Sequence, residues 1–221
     1  MIPRLHVVTK DSTLQRPDFL RQAQRVFEVG GPRVALHVRG PDSPARRLHD
    51  VCAALRESAD ERESLLLVND RIDVALALDL DGVQLGERSL LPEEARALLG
   101  GRPRGVVVGR SVHSRREARE MEKMGVDFLL LGTIFPTPSH PGKPGRGTMG
   151  VREVTGGVST PVVAIGGIGP GHVEGVVAAG AWGVAVVRAV WNVPDPGEGV
   201  QELLDALARA HQQDEEVRKR S

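Results

Sequence analysis

Eight short runs of β-branched or leucine-rich residues punctuate the chain, at 5–9, 34–39, 64–69, 82–86, 106–111, 128–134, 161–167 and 183–189. Each has the length of one strand. Most of the gaps carry apolar residues at helical spacing instead. Leu48, Val51, Cys52 and Leu55 mark one helical face, opened by Ser43 as a cap and Pro44 at the first helical position. Pro92 opens another helix, with Glu93 and Glu94 in its first turn and Leu98 and Leu99 later. Ser114 and Glu117 stand at capping-box spacing and predict a helix reaching Met124. The last helix starts near Glu198 and buries Val200, Leu203, Leu204 and Leu207. The stretch 214–221 is almost entirely polar and is expected to fray.

Strands alternating with helices imply parallel strands joined by helical crossovers. Eight such units in 221 residues predict an α/β protein, a single-domain (β/α)8 TIM barrel over 1–213 with a polar tail at 214–221. An open doubly wound sheet is the alternative. No break in composition marks a second domain. In a barrel the active groups lie at the C-terminal ends of the strands.

Composition narrows the function. Hydrophobic residues make up 40% and charged residues 26%, as in an ordinary soluble globule. Lys+Arg and Asp+Glu are each 29, which argues against a whole-surface nucleic-acid or membrane binder. A single cysteine, Cys52, cannot form an internal disulfide or a multi-cysteine zinc site. Residues 1–8 lack the long apolar segment of a signal peptide, and Arg188 interrupts the late apolar run, so no membrane span and a cytoplasmic location are expected.

The strand ends carry the candidate chemistry. In Leu36-His37-Val38-Arg39-Gly40, alternation puts His37 and Arg39 on one face. If that face lines the barrel, Arg39 reaches the mouth as an anion ligand and His37 sits one layer below. Asn69 and Asp70 follow four apolar residues. They orient a ligand, or Asp70 binds a metal through oxygen or caps the helical segment 72–78. Ser111 lines the mouth, whereas Ser114 is a cap and His113 is a weaker candidate. Gly166-Gly167 ends the seventh strand, where many barrels hold phosphate against the N-terminus of a short helix. The sixth strand empties into 132–147, a loop of Pro, Gly, Thr, Ser, His, Lys and Arg whose hydroxyls and cations suit an anionic small molecule.

Taken in order, 69–77, 81–86, 132–139, 161–167 and 180–187 resemble the thiamine phosphate synthase/TenI family, over about residues 5–191. The resemblance implies a TIM barrel acting in thiamine biosynthesis on a thiazole phosphate. It implies phosphate contacts from Gly166, Gly167, Val187 and Arg188, and ligand contacts from Thr133, Thr137 and Ser139. Arg39, Asn69 and Ser111 match contacts nearer the pyrimidine or carboxylate end. A homo-oligomer is a further expectation of the resemblance.

Departures from the family patterns order the possible reactions. The synthase branch joins a pyrimidine pyrophosphate to thiazole phosphate with Mg²⁺, and its strand-two motif resembles Gln-x-Arg-Glu-Lys. Here His37, Val38, Arg39, Gly40 and Pro41 stand in its place. Ser89 occupies the position of the second metal-binding aspartate, and His140 that of a loop-six lysine. Asp70 is the metal ligand only on the synthase reading. The metal-free thiazole tautomerase branch is favoured by the His-x-Arg motif, by Ser89, by 109–114 and by 145–147. Its acid/base histidine is Thr133 here, and a hydroxyl is a poor base at neutral pH, so His140 or His37 is expected to move the proton. The expected function is therefore a thiazole tautomerase without cofactor. A synthase with altered Mg²⁺ ligands is the alternative, and a non-catalytic ligand-binding protein the second alternative.

Overall fold

The computed structural model describes residues 1–100, 105–137, 142 and 144–220. Its strands are β1 (Leu5–Val8), β2 (Val34–Val38), β3 (Leu65–Asn69), β4 (Gly82–Leu85), β5 (Val107–Val112), β6 (Phe128–Gly132), β7 (Val162–Ile165) and β8 (Gly183–Val186). They pair in sequence order, all parallel, and β8 returns to β1 to close a barrel. Around it run α1 (Asp11–Leu14), α2 (Phe19–Gly30), α3 (Ala45–Glu61), α4 (Ile72–Ala77), α5 (Pro92–Leu99), α6 (Arg115–Lys123), α7 (Gly147–Thr155), α8 (Val173–Ala178), α9 (Arg188–Trp191) and α10 (Pro196–Arg220). All eight predicted strands form, with ends shifted by one to three residues.

Both faces of each strand are buried, which is why the strands read as apolar runs. Outward residues such as Val7, Leu36, Val68, Val83, Leu129 and Val184 pack beneath the helices. Inward residues, including Val8, Ala35, Leu67, Phe128, Leu130, Val163 and Ala185, fill the barrel. The filling is tight around Phe128. A Cβ at Gly109 would sit 2.1 Å from Phe128 Cζ and 2.3 Å from Gln84 Oε1, so only glycine lets both side chains enter the interior.

Several helix ends differ from expectation. Ser43 does not cap α3. Pro44 holds the N-cap position, and the Ser43 hydroxyl donates to Asp11 Oδ1 at 2.7 Å. The capping box at Ser114 is half formed: its hydroxyl accepts from Glu117 N, but Glu117 Oε2 accepts from His113 N. Leu98 is exposed while Leu99 is buried, since only Leu99 shares the buried face with Ala95. The expected fraying of 214–221 is corrected for 214–220, where α10 continues to Arg220. That stretch is rich in Glu, Lys and Arg, good helix formers. Among the described residues, no helix is long and apolar enough to cross a membrane.

Glu122 ties α6 to the loop before β7. Its Oε1 accepts from the backbone nitrogens and hydroxyls of Ser159 and Thr160. These bonds to the ionised form pull its pKa from 4.5 down to about 2. A carboxyl with a depressed folded pKa stabilises fully above the unfolded value, and that stabilisation is lost as pH falls through the folded one. Glu122→Gln is therefore expected to flatten the stability–pH curve between about pH 4.5 and 2. Denaturant midpoints measured across that window check it; parallel curves for both proteins would contradict it.

Candidate active site at the barrel mouth

Arg39 follows β2 with its backbone clamped by Thr9. The Thr9 hydroxyl donates to Arg39 O and accepts from Arg39 N, both at 2.8 Å. The half-buried guanidinium makes no ion pair or hydrogen bond with a described residue, so its charge is available to a ligand. Thr9, fully buried, was missed in the sequence because a threonine ending an apolar run looks like one more strand residue.

Next round the barrel, Asn69 ends β3 and Asp70 follows in the left-handed region at φ 61°, which Asp tolerates better than most residues. Asp70 does not cap α4, whose N-cap is Arg71. Its Oδ1 accepts from Gly86 N at 2.7 Å and from the Ser89 hydroxyl. Oδ2 has no hydrogen bond among the described residues. The loop carrying Ser89 is held from outside the barrel by Arg110, which donates to Leu90 O and Glu87 O. Burial lowers the Arg110 pKa from its ordinary value, with the nearby acids acting the other way. Arg110 faces outward as part of the strand alternation, so it belongs to the scaffold of the loop.

Ser111 on β5 faces inward and accepts from Gln84 Nε2 at 3.0 Å. Gln84, Asn69 and His37 all point into the barrel, and His37 lies one layer below the mouth as expected. His37 is fully buried and its Nε2 lies 2.8 Å from His6 Nδ1. Burial, and then the neighbouring His6, push its pKa well below the ordinary value. His113 instead points to the β6 end, its Nδ1 2.8 Å from Gly132 O.

The ends of β6 and β7 are locked together. Ile134 N donates to Ile165 O and Phe135 N to Gly166 O. Gly166 and Gly167 have φ of 107° and 67°. A Cβ on Gly166 would meet Thr133 Cγ2 at 2.6 Å, and one on Gly167 would meet Pro136 O at 2.7 Å. Thr133 therefore lies against the glycine pair, as a mouth residue. The far end of the β6 loop returns to its start, with Arg146 N donating to Thr133 O and Gly147 N to Ile134 O. Thr137 is half-buried at the base of this loop. Ser139 and His140 lie outside the described residues. On the next strand, Val187 is half-buried at the start of α9, and Arg188 is exposed without an ion pair to a described residue. Arg39, Asn69, Ser111, Thr133, Gly166, Gly167 and Val187 thus follow or end strands at one end of the barrel.

Depressions of about 320 and 390 Å³ open at the opposite end, one lined by Arg4, Trp182 and Asp214, the other by Arg56, Asp81 and Asp127. Their charges bind strands to helices. Asp81 accepts from Leu66 N, while Asp127 accepts from Val108 N and pairs with Arg96 at 2.8 Å. That end reads as scaffold, in keeping with the fold's division of labour.

Comparison with known proteins matches this arrangement. The family model described as thiamine monophosphate synthase matches residues 5–190. A thiamine-phosphate synthase of Gloeobacter violaceus is 37% identical over 206 residues, 93% of this chain and 58% of that protein. The bifunctional thiamine biosynthesis protein ThiM/ThiE of Symbiobacterium thermophilum is 38% identical over 93% of this chain and 41% of its own length. The chain thus spans about half the length of these two relatives. It covers 92% of a 34% identical thiamine-phosphate synthase of Pyrococcus furiosus. The solved thiamine phosphate pyrophosphorylase of Pyrococcus furiosus superposes with a TM-score of 0.79 at 33% identity, over 94% of this chain and 96% of that one. With the eight-strand barrel, the glycine pair after β7 and the Asn-Asp pair after β3 all in place, the chain belongs to the thiamine monophosphate synthase/TenI family.

Proposed function

We propose that this barrel is a thiamine-biosynthesis enzyme that joins thiazole phosphate to a hydroxymethylpyrimidine carried as its pyrophosphate, releasing pyrophosphate. On sequence alone the tautomerase stood first. The synthase names of relatives 34–37% identical support the alternative better. The observation that carries the reading is Asp70, a mouth carboxylate whose Oδ1 is tethered and whose Oδ2 has no partner among the described residues, after the strand next to that of Arg39, whose guanidinium likewise has none among them.

A Mg²⁺ ion fits this donor set in one manner. Among the described residues no three His, Cys, Asp or Glu side chains gather into a metal cage. Mg²⁺, however, usually binds through one or two carboxylates plus substrate phosphates, and Asp70 Oδ2 offers one such oxygen. When bound, the ion neutralises charge developing on the leaving pyrophosphate. The chain's own part is to hold and polarise. Arg39 binds pyrophosphate oxygens, and the backbone of Gly166, Gly167, Val187 and Arg188 holds the thiazole phosphate, with Thr133 and Thr137 beside it; the family resemblance adds Ser139 as a ligand contact. Asn69 and Ser111 orient the heterocycle. These fixed dipoles and charges act where negative charge grows.

Asp70→Asn tests the reading. The substitution keeps an acceptor for Gly86 N and Ser89 but removes the charge. It is expected to lower pyrophosphate release about 10²-fold and to raise the Mg²⁺ concentration needed for half-maximal rate. Unchanged Mg²⁺ dependence would contradict the role of Asp70.

One observation favours a second reading. Ser89 stands on Asp70 where the family's synthases resemble a second carboxylate, which weakens a metal site and leaves room for a metal-free thiazole tautomerase. In that case His140 is the expected acid/base. His37 is the poorer candidate, since it is fully buried beneath the mouth and engaged by His6.

A further inference from the structure

We propose that His6 is a positioning residue: it fixes the tautomer of His37, so that His37 offers an unprotonated Nδ1 to Asn69 and turns the Asn69 carbonyl oxygen toward the barrel mouth. The reasoning starts below the barrel, at Pro3. A backbone carbonyl can only accept, and Pro3 O lies 3.0 Å from His6 Nε2, so His6 carries its proton on Nε2. His6 is fully buried, and burial pushes its pKa down to about 4, which keeps the ring neutral at neutral pH. Its Nδ1 is then a bare acceptor. His37 Nε2, 2.8 Å away, must donate to it. Neutral His37 therefore has a bare Nδ1.

That nitrogen is fully buried and has no partner among the described residues, and Asn69 Oδ1 is in the same position. Asn69 follows Leu67 inward on β3, and Leu67 is the register partner of His37. Each is an acceptor buried without a donor, which is costly. The nitrogen and oxygen of an amide are told apart by their hydrogen bonds, and here the bonds require Nδ2 toward His37. The chain of donors then closes in one direction: Asn69 Nδ2–H to His37, His37 Nε2–H to His6, and His6 Nε2–H to Pro3. The Asn69 oxygen is left facing the mouth, where it selects a ligand group bearing N–H or O–H. Phe128 walls the pair, its ring centroid 4.9 Å from that of His6 and 6.0 Å from that of His37.

The assignment rests on contacts inside the barrel, so it stands or falls apart from the reaction proposed above. The test is nuclear magnetic resonance of the full chain with isotopically labelled histidine nitrogens. In the unmodified protein both His6 and His37 are expected to show a protonated Nε2 and a bare Nδ1. His6→Gln keeps the pattern at His37, because an amide can accept from His37 and donate to Pro3. His6→Leu removes the acceptor and is expected to shift His37 toward the Nδ1–H form and to move the Asn69 side-chain amide resonances. A protonated Nδ1 on His37 in the unmodified protein overturns the proposal, as does an unchanged His37 tautomer in a folded His6→Leu variant. If His6→Leu does not fold, the unmodified and His6→Gln spectra still decide.

Discussion

Arg39→Met is expected to lower kcat/KM for the pyrophosphate substrate by about 10²-fold, roughly 2.7 kcal/mol of transition-state stabilisation, while leaving the fold in place. The two halves of this expectation have separate causes. The guanidinium has no partner among the described residues, so its removal breaks no internal bond, and a surface change without such a bond usually shifts stability by about 0.5 kcal/mol or less. The end of β2 stays where it is because Thr9 clamps the Arg39 backbone on both sides. Methionine preserves much of the apolar stem. What disappears is the charge, in a mouth where leaving-group charge must be met by fixed cations. Steady-state kinetics and thermal melting measured together give the answer. A kcat/KM within twofold of the unmodified protein would remove Arg39 from the site.

Gly166→Ala is expected to damage both stability and phosphate binding. A side chain at φ 107° is strained whatever the surroundings, and such conformations cost about 1–3 kcal/mol. The surroundings add to this. The new Cβ would lie 2.6 Å from Thr133 Cγ2, 3.1 Å from Thr133 Cα and 3.2 Å from Ile134 N. The last two are backbone or attached to it, and that backbone is fastened by Ile134 N to Ile165 O and Phe135 N to Gly166 O. The loops after β6 and β7 must separate, which spoils the approach of backbone N–H groups to phosphate. A fall in Tm of about 2–4 °C per kcal/mol is expected for a chain of this size, with at least a tenfold loss of thiazole-phosphate affinity. The double variant Gly166→Ala/Thr133→Ala removes the closest atom and is expected to recover part of the stability. Normal binding by the single variant would show that phosphate does not rest on this turn.

The barrel could be read from the chain because its evidence is local. A parallel strand buried on both faces is an apolar run, and the helices between carry their own spacing. Leu48, Val51, Cys52 and Leu55 all face the core as that spacing requires. His37 lies inside the barrel, where alternation along β2 puts it. What stayed hidden depends on pairing between distant segments. His6 and His37 are 31 residues apart, Thr9 and Arg39 30, Ser89 and Asp70 19. Each pairing needs the register of two strands, or the path of a loop, and periodicity along one strand specifies neither. The capping of α3 failed for a similar reason. Ser43 had a better partner in Asp11, at the start of α1, than in its own helix.

The chemistry was harder to read than the fold because two patterns overlap at the mouth. On the proposed reading Asp70, Asn69 and Arg39 form a site that meets pyrophosphate. Ser89, which ties up one oxygen of Asp70, leaves a single carboxylate for a metal where two are expected of the synthases. On the proposed reading Mg²⁺ would bind through Asp70 Oδ2 together with substrate phosphates.

The central claim is that this mouth performs the condensation. Its most direct test is to supply the purified chain with hydroxymethylpyrimidine pyrophosphate and thiazole phosphate, with and without Mg²⁺, and to follow pyrophosphate and thiamine phosphate together. The account predicts Mg²⁺-dependent, equimolar formation of both. No pyrophosphate release from these substrates, with metal-free turnover of the carboxythiazole phosphate, would contradict it.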